Sequence, residues 1–467
     1  MKRVFVIIIL LFIAVDSCWA NINVKIDERV ELTSIVFRLA EAEEFHTSNA
    51  PAYLKDIDNY FDKYSSHPLI KYVKELRNND SLNVAYGVVA ASSFLFDIKA
   101  GKIVFDLNDN FGDYYFKYWD YASLVKYLNL LRQFYKDTRF SKFWEAHKAM
   151  SQKSLETAKS VVKGMNINAK WFSDFFDTDS YDFDIYLGMA NGGNNYAVQT
   201  LDENKCKSIM IGCFTEIDGV PSIDSGISGV LFHELCHRFG NQVVDEYKNE
   251  FMSSFERIYP DICQLTKLYG YGDSHPYTAA VESFINLFSI MYKIENAPFD
   301  MGYFIAESEN QGHIWMADAV EFMQSFLDNR ERFPSIKAFM PQLVAYYNEL
   351  PERWVALMKK FEARAPYVES TFPAKNSTVS SDIKELRVTF SHPMIDAFGK
   401  RKLNGYENVV FHEVHHSPDN RTIIIPLSEP LKKGKTYGFV IPAAMLISAD
   451  TYHRVEEDYQ FIFKTEK

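Results

Sequence analysis

The stretch SGISGVLFHELCHRFG, from Ser225 to Gly240, is the most informative segment of this 467-residue chain. Residues of an α-helix follow one another at about 100°, so this segment would carry an apolar face formed by Ile227, Val230, Leu231 and Leu235. His233 and His237 would lie together at the margin of that face, one turn apart. The spacing therefore predicts a helix that buries its apolar side and directs two imidazoles into a cleft.

His233, Glu234 and His237 form an H-E-x-x-H pattern. Two histidines one helical turn apart can offer nitrogen donors to a single divalent ion, and zinc prefers such donors. Glu234 lies between the histidines and the apolar face, where its carboxylate can act as a base. Cys236 is interpreted as a small buried residue rather than a ligand. The alternative interpretation is a core helix with two ordinary hydrogen-bonded histidines.

The chain contains a second match to the same pattern, HEVHH, from His412 to His416. It continues the apolar segment NVVF and runs into the turn residues SPDN, which is typical of the end of a strand. Four residues of a strand span about 13 Å, too far for both histidines to bind one ion. We therefore predict that this match is a strand end with solvated histidines.

Catalytic zinc usually has three protein ligands, so a third ligand must be found elsewhere. The metzincin pattern HExxHxxGxxH is excluded because Val243 occupies its last position. Nearby candidates are Asp245, Glu246 and Glu250, and more distant ones are His275 and Glu282. We favour Glu282 because it is the one charged residue in the apolar segment TAAVESFINLFSIMY, residues 278–292. A buried carboxylate is costly unless it is paired or binds a metal.

Two further residues are expected to support such a site, and one alternative remains for Glu282. Asn286, one turn after Glu282, can orient a metal ligand, and Asp245 can accept a ring N–H from a ligand histidine. In the alternative, Glu282 pairs with an arginine or with a helix end. A later helix that donates a glutamate to H-E-x-x-H is the gluzincin arrangement.

The periodicity of apolar residues predicts an α+β protein with an all-β C-terminal part. Spacings of three and four indicate helices from about residue 24 to 172. The segments YDFDIYLGMA and KSIMIGCF, between residues 173 and 219, read as strands, and helices dominate again to about residue 361. After Arg364, short alternating strands such as ELRVTF, NVVFHEV, TIIIPL and TYGFVIP predict a β-sandwich over residues 364–467.

The last hundred residues resemble the bacterial immunoglobulin-like (Ig-like) domains. The elements that carry the resemblance are TFSHPM, from Thr389 to Met394, and FIFKT, from Phe461 to Thr465.

The N-terminal segment has the features of a secretory signal peptide over residues 1–20. A basic start at Lys2 and Arg3 precedes the apolar run VFVIIILLFIAV and a small-residue end. Lipoprotein processing at Cys18 is an alternative that would add a lipid anchor. The chain is then expected to be exported and not an integral membrane protein. The formal charge of −12 disfavours nucleic acid as a partner. A bridge between Cys206 and Cys213 is left open.

Residues 28–350 resemble an uncharacterised family of secreted bacterial proteins, classed as a domain of unknown function and regarded as gluzincin-like zinc peptidases. The matching segments are ERVELTSIVFRLA, NGGNNYAV, VLFHELCHRF, VESFINL, MGYFIAE and ERFPSIKAFMPQL. The resemblance implies a mostly helical, zincin-like domain over residues 21–363, with a small sheet and active-site residues in its part 173–363. It implies His233, His237 and Glu282 as metal ligands and Glu234 as the catalytic carboxylate.

These features lead to the expectation of an exported zinc metallopeptidase that acts on a protein or peptide substrate. His275, Tyr271 and Tyr303 are candidate donors to the oxyanion. The strand YDFDIYLGMA is a candidate exposed edge to which a substrate peptide adds. One alternative is a catalytically inactive, peptidase-like protein for surface binding or adhesion. Another is a different zinc hydrolase, such as an amidase acting on cell-wall peptides.

Overall fold

The computed structural model describes residues 22–47, 50–79, 84–106, 119–178, 183–198, 207–212, 215–265, 276–296 and 300–467. The predicted signal segment, residues 1–20 with Cys18, therefore lies outside the described residues. The same is true of Cys206, Cys213, Tyr271 and His275. The described residues fall into two compact units, one within residues 1–173 and 178–228, the other within residues 174–177 and 229–467.

The first unit is rich in helices. They are α1 (Glu28–Leu39), α2 (Pro51–Phe61), α3 (Pro68–Arg77), α4 (Tyr86–Ser92), α5 (Tyr121–Asp137), α6 (Phe140–Ala146), α7 (Lys148–Gly164) and α8 (Ala169–Phe176), whose last residues belong to the second unit. Local sequence explains where several of them begin. The side chains of Asp27 and Asp120 accept backbone N–H groups at the starts of α1 and α5, and proline opens α2 and α3.

The first unit also contains the strands β1 (Ile22–Lys25), β2 (Asp97–Lys99), β3 (Lys102–Val104), β4 (Phe183–Gly188), β5 (Asn195–Val198), β6 (Lys207–Gly212), β7 (Thr215–Ile217) and β8 (Val220–Ser222). Four of them form a sheet in the order β1-β4-β6-β5, and the other four form two hairpins. β1, β4 and β6 are parallel, whereas β5 is antiparallel to β6. The region predicted to be helical therefore also contains a short strand and a hairpin.

The strand within YDFDIYLGMA is wrongly predicted to be an exposed edge. β4 pairs with β1 on one side and β6 on the other, and all six of its residues are buried. The edges of this sheet are β1 and β5. A strand buried on both faces reads as a nearly continuous apolar run, so the sequence could not separate a central from an edge position.

The second unit begins with seven further helices, which the structure describes as α9 (Ser228–Glu246), α10 (Lys248–Leu265), α11 (Pro276–Asn296), α12 (Met301–Asn310), α13 (Met316–Leu327), α14 (Ile336–Asn348) and α15 (Leu350–Glu362). α11 is buried along most of its length, as its apolar sequence predicts. None of the helices in the described part of the chain is long and apolar enough to cross a bilayer.

The rest of the second unit is an all-β sandwich. Its strands are β9 (Val368–Phe372), β10 (Thr378–Val379), β11 (Glu385–Phe390), β12 (Arg401–Lys402), β13 (His415–His416), β14 (Thr422–Pro426), β15 (Thr436–Ile441) and β16 (Tyr459–Thr465). They form two four-stranded sheets, β13-β14-β11-β9 and β10-β16-β15-β12. Alternate residues point inwards, so Leu386, Val388 and Phe390 of β11 share a core with Phe461 and Phe463 of β16.

Candidate metal centre

α9 and α11 bring together the three side chains that the sequence predicts as metal ligands. The Nε2 atoms of His233 and His237 are 3.0 Å apart. Each lies 3.3 Å from a carboxylate oxygen of Glu282, His233 from Oε2 and His237 from Oε1. The side chains are 13–24% exposed, so solvent reaches the group.

The spacing of these donors fits a tetrahedral zinc ion. Bonds of about 2.0–2.1 Å at tetrahedral angles hold two donor atoms about 3.3–3.4 Å apart. The separations of 3.0 and 3.3 Å therefore suit one ion bound by all three residues. Across the described ranges, this is the cluster of histidine, cysteine and acidic residues that has metal-binding geometry. A donor set of two imidazoles and one carboxylate also favours zinc over magnesium or calcium.

Asn241 fixes the orientation of one of the histidines. The Nδ1 atom of His237 lies 3.0 Å from Asn241 Oδ1, one turn further along α9. An amide oxygen accepts a hydrogen bond, so Nδ1–H donates to it and Nε2 is the nitrogen directed at the site. Asn241 is not among the residues predicted from the sequence, although its spacing of four from His237 is a usable signal.

Asp245, the residue expected to support a ligand histidine, has another partner. Its Oδ1 atom accepts a hydrogen bond from the Tyr277 hydroxyl at 2.5 Å, and its side chain is exposed. Eight residues after His237, it lies about two turns further along α9, whereas Asn241 is one turn away. The expectation for Asp245 is therefore wrong, and Asn241 takes that place.

The charges of the group influence one another strongly. Burial lowers the pKa of His237, but the Glu282 carboxylate outweighs that effect and raises the pKa above its ordinary value. Burial raises the pKa of Glu282, yet the two histidines outweigh it and hold the pKa well below the usual range. Without an ion, the carboxylate therefore stays ionised and favours a proton on the neighbouring imidazole.

Close packing of α9 on α11 depends on Gly240. A Cβ atom at this position would lie 3.1 Å from Ile285 Cδ1 and 2.9 Å from a ring carbon of Phe176. A larger residue would therefore push apart the two helices that carry the predicted ligands. Ser283, next to Glu282, is held in turn by the Tyr347 hydroxyl and by Trp315 Nε1, each 3.0 Å from its Oγ atom.

The three residues predicted to take part in catalysis have different outcomes. Glu234 is 8% exposed on α9, and its charge contributes to the raised pKa of His237. Tyr303 is 45% exposed on α12, and burial together with the charge of Glu307 raises the pKa of its phenol. His275 lies outside the described residues. Glu234 thus lies next to the predicted metal ligand His233 in a mostly buried position, and the catalytic roles of Glu234 and Tyr303 stay predictions.

A partly buried polar cluster, formed by Asn286, Gln311 and His313, lies one turn after Glu282 on α11. The sequence predicts that Asn286 orients a metal ligand, but its Nδ2 atom donates instead to Gln311 Oε1 at 3.1 Å. It also lies 3.4 Å from Nδ1 of His313, which is fully buried. Burial lowers the pKa of His313 to about 4, against an opposing effect of Glu282, so this ring is neutral near pH 7.

The second H-E-x-x-H match has no such geometry. His415 and His416 form the two-residue strand β13, and His412 lies in an exposed bend before it. The predicted strand NVVFHEV is largely irregular, with a single bridge from Phe411 to Leu427. The prediction of solvated histidines is wrong for His416, whose side chain is 5% exposed with Nε2 3.6 Å from Asp396 Oδ1.

Two family models match the chain. Residues 22–346 match a domain of unknown function (DUF4932), and residues 362–465 match a bacterial Ig-like domain. The second match confirms the predicted C-terminal domain and the mixed helical and all-β architecture. No curated protein matches the chain. Because the first model covers more than half of the sequence, the chain belongs to the DUF4932 family.

Solved structures with detectable similarity include chains of the surface layer protein SbsC. The structure of its domains 1–6 matches with 17% identity and a TM-score of 0.19, over 48% of this chain and 32% of that chain. The N-terminal part of the same bacterial S-layer protein matches with 16% identity and a TM-score of 0.18, over 47% of this chain and 57% of that chain. Likenesses at such TM-scores do not define the fold of this chain.

Proposed function

We propose that this DUF4932 protein is an exported zinc metallopeptidase with a zincin-like catalytic domain of the gluzincin type. The observation that supports the proposal most strongly is the convergence of His233, His237 and Glu282, whose donor atoms lie 3.0–3.3 Å apart. The donors come from two helices, and the second provides the acidic ligand. Zinc bound there would polarise a carbonyl group and lower the pKa of its water towards about 7.

The chain's own residues would then carry the proton transfers. Glu234 follows His233 directly on α9 and is largely shielded from solvent. Its carboxylate takes a proton from the attacking water and later donates it to the leaving amine. The Tyr303 phenol is protonated at neutral pH, as an ordinary tyrosine is, and burial raises its pKa further, so it is a candidate donor to the oxyanion.

Export is part of the proposal, supported by the basic start, apolar run and small-residue end of residues 1–20. A C-terminal bacterial Ig-like domain fits an extracellular location. The substrate class is protein or peptide. The net charge of −12 makes polyanions unfavourable ligands.

The chain offers a matched pair of variants for testing the proposal. Glu234→Gln and Glu413→Gln make the same substitution at the same position of the two H-E-x-x-H matches. We expect Glu234→Gln to bind zinc like the wild type and to lose roughly 10²–10⁴-fold in kcat on peptide substrates, the usual contribution of general acid–base catalysis. Glu413→Gln should retain full activity.

Three outcomes of this experiment would contradict the proposal. The first is a wild-type protein that binds zinc but cleaves no peptide in a broad library, which would favour the inactive binding protein. The second is hydrolysis of cell-wall amides without cleavage of proteins, which would favour an amidase. The third is equal activity of the two variants, which would remove Glu234 from the reaction.

A further inference from the structure

A short turn of the Ig-like domain, residues 452–454, forms hydrogen bonds at both ends of α12. The Tyr452 hydroxyl donates to Asp300 Oδ2 at 2.7 Å, and Asp300 is the residue that caps the start of the helix. At the other end, Asn310 Nδ2 donates to the backbone oxygen of Tyr452 at 3.1 Å, and Arg454 N donates to Asn310 Oδ1 at 3.2 Å. The helix is thus bound at both termini by two residues of the turn, Tyr452 at its start and Tyr452 with Arg454 at its end.

A buried hydrogen bond joins the same turn to the last helical turn of α12. His453 Nε2 lies 2.7 Å from Glu309 Oε2, and the Glu309 side chain is completely shielded from solvent. Arg364 Nη2 lies 2.9 Å from the same carboxylate. The ring of Tyr452 also packs edge-on against Tyr303, with centroids 5.7 Å apart. A carboxylate this buried needs its partners, so the contact is fixed rather than occasional.

α12 and the turn after it contact both helices that carry metal ligands. A Cβ at Gly229 would lie 3.3 Å from the Phe304 ring, and Gly229 is one turn before His233 on α9. Gln311 accepts the hydrogen bond from Asn286, which is one turn after Glu282 on α11. The segment therefore lies against α9 and α11 at positions four residues from the ligands.

We infer that the Ig-like domain is a positioning element of the metal centre. Residues 452–454 hold α12, and α12 with Gln311 sets the spacing between the helix of His233 and His237 and the helix of Glu282. The inference rests on the proposed function, because it takes this metal centre to be the catalytic site. Tyr452, His453 and Arg454 are positioning residues, because they act through α12.

The test compares His453→Ala with His412→Ala in the full-length protein. Both substitutions remove a histidine from the Ig-like domain, but His412 is exposed and lies outside the turn. The measurements are backbone hydrogen exchange in residues 228–237, 276–296 and 301–310, and Co²⁺ affinity from visible absorption. We expect His453→Ala to speed exchange in all three segments and to weaken Co²⁺ binding about tenfold, the scale of lost support for metal ligands.

Further variants keep the inference falsifiable if His453→Ala does not fold. His453→Gln retains a donor towards Glu309 and should restore most of the affinity, and Tyr452→Phe removes only the hydroxyl that binds Asp300 and should cause a smaller loss. Behaviour of these folded variants identical to His412→Ala would overturn the inference. A wild-type protein that binds no Co²⁺ would overturn the proposed function. The positioning of α9 and α11 by residues 452–454 would then be tested by hydrogen exchange in these two helices alone.

Discussion

The two H-E-x-x-H matches of this chain have the same letters and opposite structures. In HELCH, two Nε2 atoms lie 3.0 Å apart and face a carboxylate from another helix. In HEVHH, the histidines are divided between an exposed bend and a two-residue strand, and His416 is buried beside Asp396. The difference arises from the backbone, because residues four apart are neighbours on a helix, whereas the backbone from His412 to His416 is a bend followed by a two-residue strand.

The H-E-x-x-H motif therefore brings its two histidines together only where the surrounding sequence forms a helix. HELCH lies on α9, which begins with Ser228 and Gly229. This helix has an apolar face and packs on α11 through Gly240. HEVHH is followed at once by the turn Ser417-Pro418-Asp419-Asn420, which ends β13 after two residues and leads into its antiparallel neighbour β14. Neighbouring residues therefore determine whether the two imidazoles can share an ion.

The largest expected effect is on metal binding. His233→Ala or His237→Ala removes one of three ligands and should weaken zinc affinity by on the order of a thousandfold, whereas His412→Ala and His416→Ala should leave it unchanged. Competition titration with a chelating dye measures these affinities. Equal losses for substitutions in both motifs would abolish the contrast between them.

The pH dependence of metal affinity sharpens the same contrast. In the metal-free protein the pKa of His237 is raised, chiefly by Glu282 against the effect of burial, so below that pKa a proton occupies the nitrogen that binds zinc. Binding then releases this proton, and affinity should fall about tenfold for each unit of decreasing pH between 8 and 6. Titrations at several pH values measure the slope, which His412→Ala should preserve. An affinity independent of pH in this range would be inconsistent with a displaced proton.

Asn241→Ala tests the hydrogen bond that orients His237. Loss of this support should reduce zinc affinity by about 10–100-fold, because such partners fix the tautomer and the ring direction of a ligand histidine. Asp245→Asn is the matched control, since Asp245 binds Tyr277 instead. A greater loss in the Asp245 variant would show that the assignment of Asn241 is mistaken.

The features that the sequence predicts correctly are those that depend on the local spacing of apolar residues. The helix around HELCH, the apolar segment with its single carboxylate and the alternating C-terminal strands all follow from the spacing of apolar residues. Glu282 was identifiable because a lone charge in an apolar helix needs a partner. Asn241 was missed despite its regular spacing, since polar helix residues are usually solvated.

Other features depend on contacts between distant segments. The central position of β4 follows from pairing with β1, more than 150 residues earlier in the chain, as the register Ile22 to Phe183 shows. The bonds of Tyr452 and His453 with α12 and its capping residue join residues 142–152 positions apart. A single sequence contains no local signal for such pairs, because they form only in the folded protein.

The smallest expected effect concerns the stability of the Ig-like domain. His416→Ala removes a mostly buried imidazole and should lower the free energy of unfolding by about 1–2 kcal/mol, with zinc affinity unchanged. Thermal unfolding with and without zinc measures both quantities. A variant that lost zinc without losing stability would reverse the roles assigned to the two motifs.

The most direct measurement of the metal centre is an anomalous difference map at the zinc absorption edge from crystals grown with zinc. We expect a peak about 2.0–2.2 Å from Nε2 of His233, Nε2 of His237 and a carboxylate oxygen of Glu282. Zinc bound at HEVHH, or none beside α9 in a fully loaded protein, would contradict this expectation.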